Sequence, residues 1–124
     1  MAQTDKERLD SLWNTAELLK RVEGDQELLR ELLLMFREDS LSNLQEARSL
    51  LTQNDLQGLS RVAHTLKGML RNLSMTEAAE IAATLESKAR EGLKEESRES
   101  LDGLEKGITD IAPQVDAQLA ELKI

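Results

Sequence analysis

A single histidine, His64, is present in the chain, and an imidazole that can act as nucleophile and base near neutral pH is the first place to look for chemistry. Lys67 follows three residues later and Gly68 four, a spacing that puts both on the histidine's side of a helix. An ammonium at i+3 can reach a group attached to the imidazole and neutralise phosphate oxygens as a mobile point charge. Glycine in mid-helix costs about 1 kcal/mol relative to alanine, so something other than stability has to explain Gly68. A position without a side chain, one turn from the histidine, lets another protein's backbone approach the ring.

With residues 56–73 set on a wheel at about 100° per residue and His64 at zero, Leu59, Val62, Ala63, Leu66, Leu70 and Leu73 fall between about 160° and 260°. That is the core face. Gln57, Ser60, Arg61, Lys67, Gly68 and Arg71 lie within about 60° of His64, so the histidine is expected to face solvent and these neighbours to meet whatever approaches it. Residues 56–76 contain no aspartate or glutamate, whereas about four of the 24 acids would fall there at random. Such a patch suits an anion or an acidic partner. The plain alternative is that a lone surface histidine does nothing and that Lys67 and Arg71 are ordinary solvated side chains.

Other chemistries fit less well. One histidine makes no zinc site without carboxylates or thiolates beside it, and none lies on this face of the helix. A serine–histidine hydrolase needs an orienting acid and an oxyanion hole, which an exposed helical face is not expected to offer. No glycine-rich nucleotide loop is present, so neither ATP binding nor self-phosphorylation is expected. A net charge of −8 argues against nucleic acid. The absence of cysteine excludes disulfides and thiolate chemistry. No apolar run approaches the roughly 20 residues that span a bilayer, and the charged Met1 to Asp10 segment is unlike a signal peptide, so a cytoplasmic location is expected.

The elements that must position His64 are helices. At 124 residues one domain is expected. With Trp13 and Phe36 the only aromatic residues, the core must be mostly leucine and alanine, which favours helix over sheet. A first segment, roughly Asp5 to Val22, is expected to break at Asn14–Thr15, with Asn14 capping a short helix Ala16 to Val22 and Gly24 stopping it. Asp25 caps the next helix, whose stripe runs through Leu28, Leu29, Leu32, Leu33 and Phe36, then Leu41, Leu44, Ala47, Leu50 and Leu51, with a bend expected near Asp39–Ser40. The pair Met35–Phe36 reads as core. Asn54 and Asp55 end this helix and cap the one carrying His64, which runs to about Asn72. Ser74 with Glu77 predicts a capping box for a helix to Arg90, closed by Gly92. From about Glu95 to Leu122 the pattern is weaker, and Pro113 is expected to kink or break it. The fold expected is all-α: an antiparallel up-and-down four-helix bundle with a short N-terminal helix and a further C-terminal helical segment.

The run Ala63-His64-Thr65-Leu66-Lys67-Gly68, followed by Asn72-Leu73, resembles the phosphorylation-site motif of histidine-phosphotransfer (HPt) domains. Ala82, Leu85-Glu86, Ala89 and Gly92 fall where that family's next helix has its alanine, its leucine–glutamate pair and its terminal glycine. Upstream, Leu18-Leu19 and Gly24-Asp25 through Leu33 and Phe36 resemble its opening helices, so the resemblance covers about residues 14–92. It implies a phosphorelay intermediate of two-component signalling. His64 would take a phosphoryl group from a receiver domain's phospho-aspartate or pass one to such an aspartate, with Lys67 beside the phosphate and Gly68 giving clearance. Arg61, Arg71, Ser60 and Gln57 would meet the partner.

The implied partners are response-regulator receiver domains, with a hybrid sensor kinase as a further candidate, and the chain itself is expected to be a monomer. It would bind no cofactor or metal, since the receiver's acidic pocket and its Mg²⁺ can supply most of the charge neutralisation. A neutral imidazole, the main form of an unperturbed histidine near pH 7, is all the HPt side need present. The sequence departs from the family pattern at Met69, Leu70 and Arg71, where small residues are usual, and at Ser74, in place of a usual glycine. Leu70 is a core position on the wheel; Arg71 shares the His64 face and bears on which receivers fit. Two other readings stand beside this one. A helical adaptor could bind the same partners without phosphate, although His64, Lys67 and Gly68 retained together argue against it; and the chain could be an accessory domain of a larger kinase.

Overall fold

The computed structural model describes residues 13–122, so the segment from Asp5 to Leu12 lies outside the described residues. Five helices follow one another, with no strand among the described residues: α1 Thr15–Arg21, α2 Gln26–Thr52, α3 Leu56–Asn72, α4 Thr76–Arg90 and α5 Lys94–Glu121. Helix α2 packs on α3 and α5, and α4 packs on α3 and α5. The four long helices therefore close a helical bundle around one core of leucines and alanines, with Phe36 and Trp13 as its aromatic members.

Three of the helices begin where a short polar side chain accepts a free backbone N–H. Asn14 Oδ1 takes Glu17 N at 3.0 Å, Asp25 Oδ1 takes Leu28 N at 3.0 Å, and Asp55 Oδ1 takes Gly58 N at 2.8 Å. The ends of α2, α3 and α4 share one device. Asn54, Ser74 and Gly92 adopt positive φ, and the next residue's N–H reaches back to the carbonyl of Leu50, Leu70 or Lys88 at 2.9–3.0 Å. This is the left-handed termination that satisfies the last carbonyls of a helix. The residue after each left-handed one then starts the following helix, so each connection is only three residues long.

That economy overturns the expected capping box. Ser74 is the left-handed residue that ends α3, so it stands one position too early to cap α4, whose N-cap is Met75 without a side-chain bond. The Ser74 hydroxyl instead donates to Glu17 Oε1 at 3.0 Å. Helix α2 is continuous through Asp39–Ser40, with Ser40 buried, but its apolar stripe differs from the one expected. Its buried line is Leu29, Leu33, Phe36, Ser40, Leu44, Ala47 and Leu51; Leu28, Met35 and Leu41 are 40, 54 and 62% exposed. A stripe read as one wide band winds slowly around a helix 27 residues long, and leucines at its margin leave the core. Pro113 lies inside α5 and does not end it: both Pro113 and Thr109, whose carbonyl loses its partner, are exposed, where water can satisfy that oxygen.

Helix α1 is fastened across the end of α3. The Trp13 indole N–H donates to the Leu73 carbonyl at 2.9 Å, Asn14 N to the Ser74 carbonyl at 2.9 Å, and the Arg21 guanidinium to the Arg71 carbonyl at 3.1 Å. Helix α5 completes the bundle by packing on α2 and α4. No described helix is long and apolar enough to cross a membrane.

Candidate functional site

The core face predicted for α3 is buried throughout, from Leu59 and Ala63 to Leu70 and Leu73, and the opposite face carries His64 in mid-helix with its side chain 68% exposed. Gln57, Arg61, Gly68 and Arg71 are exposed alongside it, and Ser60 and Lys67 are half-buried on the flank toward α4. A Cβ placed on Gly68 would meet nothing within 4 Å. The space beside the ring is open.

Within α3 the histidine's face carries no carboxylate, but the folded molecule does not keep it so. Glu86 of α4 enters the site with its side chain only 9% exposed. Its Oε2 lies 3.0 Å from His64 Nδ1 and 2.9 Å from an Arg90 guanidinium nitrogen, and its Oε1 lies 2.6 Å from Lys67 Nζ. The Lys67 ammonium is therefore engaged by a neighbouring carboxylate. Ser60 ties the two helices together one turn earlier, donating from Oγ to the Glu86 carbonyl at 3.1 Å. Alanines on the buried face of α4, Ala78, Ala79, Ala82 and Ala89, keep that face thin enough for its neighbours to come close.

The hydrogen bond from Lys67 holds the Glu86 carboxyl below the usual carboxylate range; burial pushes the other way and loses, and the bond from His64 adds to the lowering. Glu86 is thus ionised at neutral pH and can only accept hydrogen bonds. It follows that the Nδ1 of His64 carries the proton and donates it to Oε2, leaving the Nε2 lone pair on the outer, solvent side of the ring. A ring fixed in this tautomer, beside a bare glycine, can act as a nucleophile toward an electrophile brought from outside.

Sequence reasoning attached no role to Glu86, although a visible signal marked it: an acid standing in the alanine and leucine stripe of its own helix. An acid does therefore orient the imidazole, contrary to expectation, yet the Ser60 hydroxyl donates to the Glu86 carbonyl rather than to His64. No group of three metal-ligating side chains occurs among the described residues.

Residues 31–123 match the family model of the Hpt domain. The match takes in α5, beyond the roughly 14–92 that the motifs covered. No match is found among curated proteins or among solved structures.

Proposed function

The chain belongs to the Hpt domain family, and from that premise we propose that it is a phosphorelay intermediate in which His64 Nε2 accepts a phosphoryl group from the phospho-aspartate of one receiver domain and passes it to the aspartate of another. Hpt domains are phosphotransfer intermediates of two-component signalling rather than ATP-binding kinases. The observation that supports His64 as the carrier is its bond to Glu86: an exposed ring held in one tautomer by an ionised carboxylate 3.0 Å away.

Each neighbour has a task in this reading. Glu86 keeps the proton on Nδ1, so the attacking nitrogen is Nε2 and the ring is pre-oriented. Lys67 keeps Glu86 ionised and stands close enough to turn toward phosphate oxygens as they arrive. Gly68 leaves room for the receiver's backbone, and Gln57, Arg61 and Arg71 line the exposed face it would cover. The receiver supplies the remaining charge neutralisation from its own acidic pocket and Mg²⁺. The reading takes the chain as a single cytoplasmic domain acting as a monomer, an antiparallel up-and-down bundle supported by the ring of helix contacts and three-residue connections.

The test is to incubate the protein with a panel of phosphorylated receiver domains and follow the label. Transfer from at least one receiver to the chain is expected. A protein that binds such receivers yet takes no label would be an adaptor instead.

A further inference from the structure

Glu86 Oε2 has two donors. His64 Nδ1 lies 3.0 Å away and an Arg90 guanidinium nitrogen 2.9 Å away, while Lys67 has Oε1 to itself. We propose that Arg90 is a positioning residue that sets how long a phosphoryl group stays on His64, because by sharing Oε2 it limits how strongly Glu86 holds the Nδ1 proton. The inference rests on the phosphotransfer reading of His64.

The chemistry turns on that proton. When Nε2 attacks the phosphorus of an aspartyl phosphate, the Nε2–P bond forms and the P–O bond to the aspartate breaks, its electron pair leaving with the carboxylate oxygen. Nδ1 keeps its hydrogen, so the product is a phosphoimidazolium ring. On release the Nε2–P bond breaks and its electron pair returns to Nε2, while phosphorus bonds to an aspartate oxygen or to water. The leaving group is a neutral imidazole if Nδ1 is still protonated, and an imidazolate if it is not. The first is far better, so the phosphoryl group is mobile below the pH at which phosphorylated His64 loses its Nδ1 proton and locked above it.

An anion at Oε2 raises that pH and a cation beside it lowers it. Arg90 acts in the second sense twice over, by occupying Oε2 as a donor and by repelling a positively charged ring. The other charged groups around the site act less directly. Lys67 works through Oε1, and Arg61 shares the α3 face. Asp39 and Glu46 of α2 line hollows with Thr65 and with Arg61 on the far flank. Glu96 of α5 is held by Lys88, and Arg21 of α1 binds at Arg71. The Arg90 side chain is 67% exposed, so its replacement opens no core, and solvent screening keeps its effect modest.

The test loads the wild type and Arg90→Gln with phosphoramidate, removes the donor, and follows phosphohistidine loss by phosphorus NMR between about pH 5 and about pH 10. In Arg90→Gln the change from labile to stable phosphohistidine should move up by a few tenths of a pH unit, giving about two-fold faster loss just above the wild-type midpoint. Arg90→Lys, which keeps the charge, should follow the wild type. A midpoint in Arg90→Gln that is unchanged or lower, with phosphate loaded normally, overturns the proposal. A wild type that takes no phosphate on His64 overturns the phosphotransfer reading, and the proposal with it.

Discussion

Gly68 separates two demands that usually coincide. Nothing stands where its Cβ would be, so a side chain can be added without a clash inside the molecule, and any residue but proline gains helix propensity there. Gly68→Leu should therefore raise stability by about 0.5–1 kcal/mol in thermal unfolding while slowing transfer from a phospho-receiver at least several-fold. A normal transfer rate would leave the glycine without this explanation. Glu86 makes a second prediction at this scale. Its folded carboxyl titrates below the ordinary value of 4.5, so the unfolded chain binds more protons there in mild acid, and the group's contribution, full above that value, is lost as pH falls through the folded value. Glu86→Gln should flatten the acid limb of stability, read from urea midpoints between about pH 7 and about pH 3; an acid limb as steep as the wild type's would contradict it. The roles of His64, Lys67 and Gly68 could be proposed from one stretch of sequence because a single helix turn relates them. Glu86 could not be placed with them, because its 22-residue separation from His64 is closed only by the packing of α4 on α3.

At the scale of elements, the termini explain which helix boundaries were readable. Asn14, Asp25 and Asp55 cap with their own side chains and are legible singly. Ser74 was misread because two devices compete for a three-residue connection, and the left-handed C-terminal turn of α3 takes it. Pro113 does not break α5, and the sequence alone does not say whether the carbonyl it orphans faces water. Its place in an intact helix carries a cost all the same, since a proline removes one backbone bond and crowds the preceding turn. Pro113→Ala should stabilise the protein by about 1–3 kcal/mol, seen as a higher urea midpoint at unchanged helicity; a lower midpoint would show that α5 depends on the proline's local geometry. Helix α1 has a different place in the account. With Trp13, Asn14 and Arg21 on the carbonyls of Leu73, Ser74 and Arg71, it closes off the C-terminal end of the helix that carries His64.

Across the whole molecule the charges are unevenly spread. The net charge is −8, yet the face around His64 gathers Arg61, Lys67, Arg71 and Arg90 about one buried acid, so an acidic partner is repelled by most of the surface and drawn to this part of it. Arg71→Glu should weaken binding of an acidic receiver, most visibly at low salt, while leaving His64 able to take phosphate from a small donor. Affinity curves across a salt series that run parallel with no offset would make Arg71 ordinary solvated surface. The all-helical fold was legible because leucine and alanine at helical spacing leave little choice, and short connections suggested neighbouring helices. Which side chains of α4 would face His64 was not legible, because it depends on which faces pair. The central claim is that phosphate travels through His64, and the direct measurement is transfer of label from a phospho-receiver to the wild type and to His64→Gln. The wild type should become labelled in an acid-labile, alkali-stable form, and His64→Gln, with unchanged helicity, should take none; label persisting on His64→Gln would contradict the account.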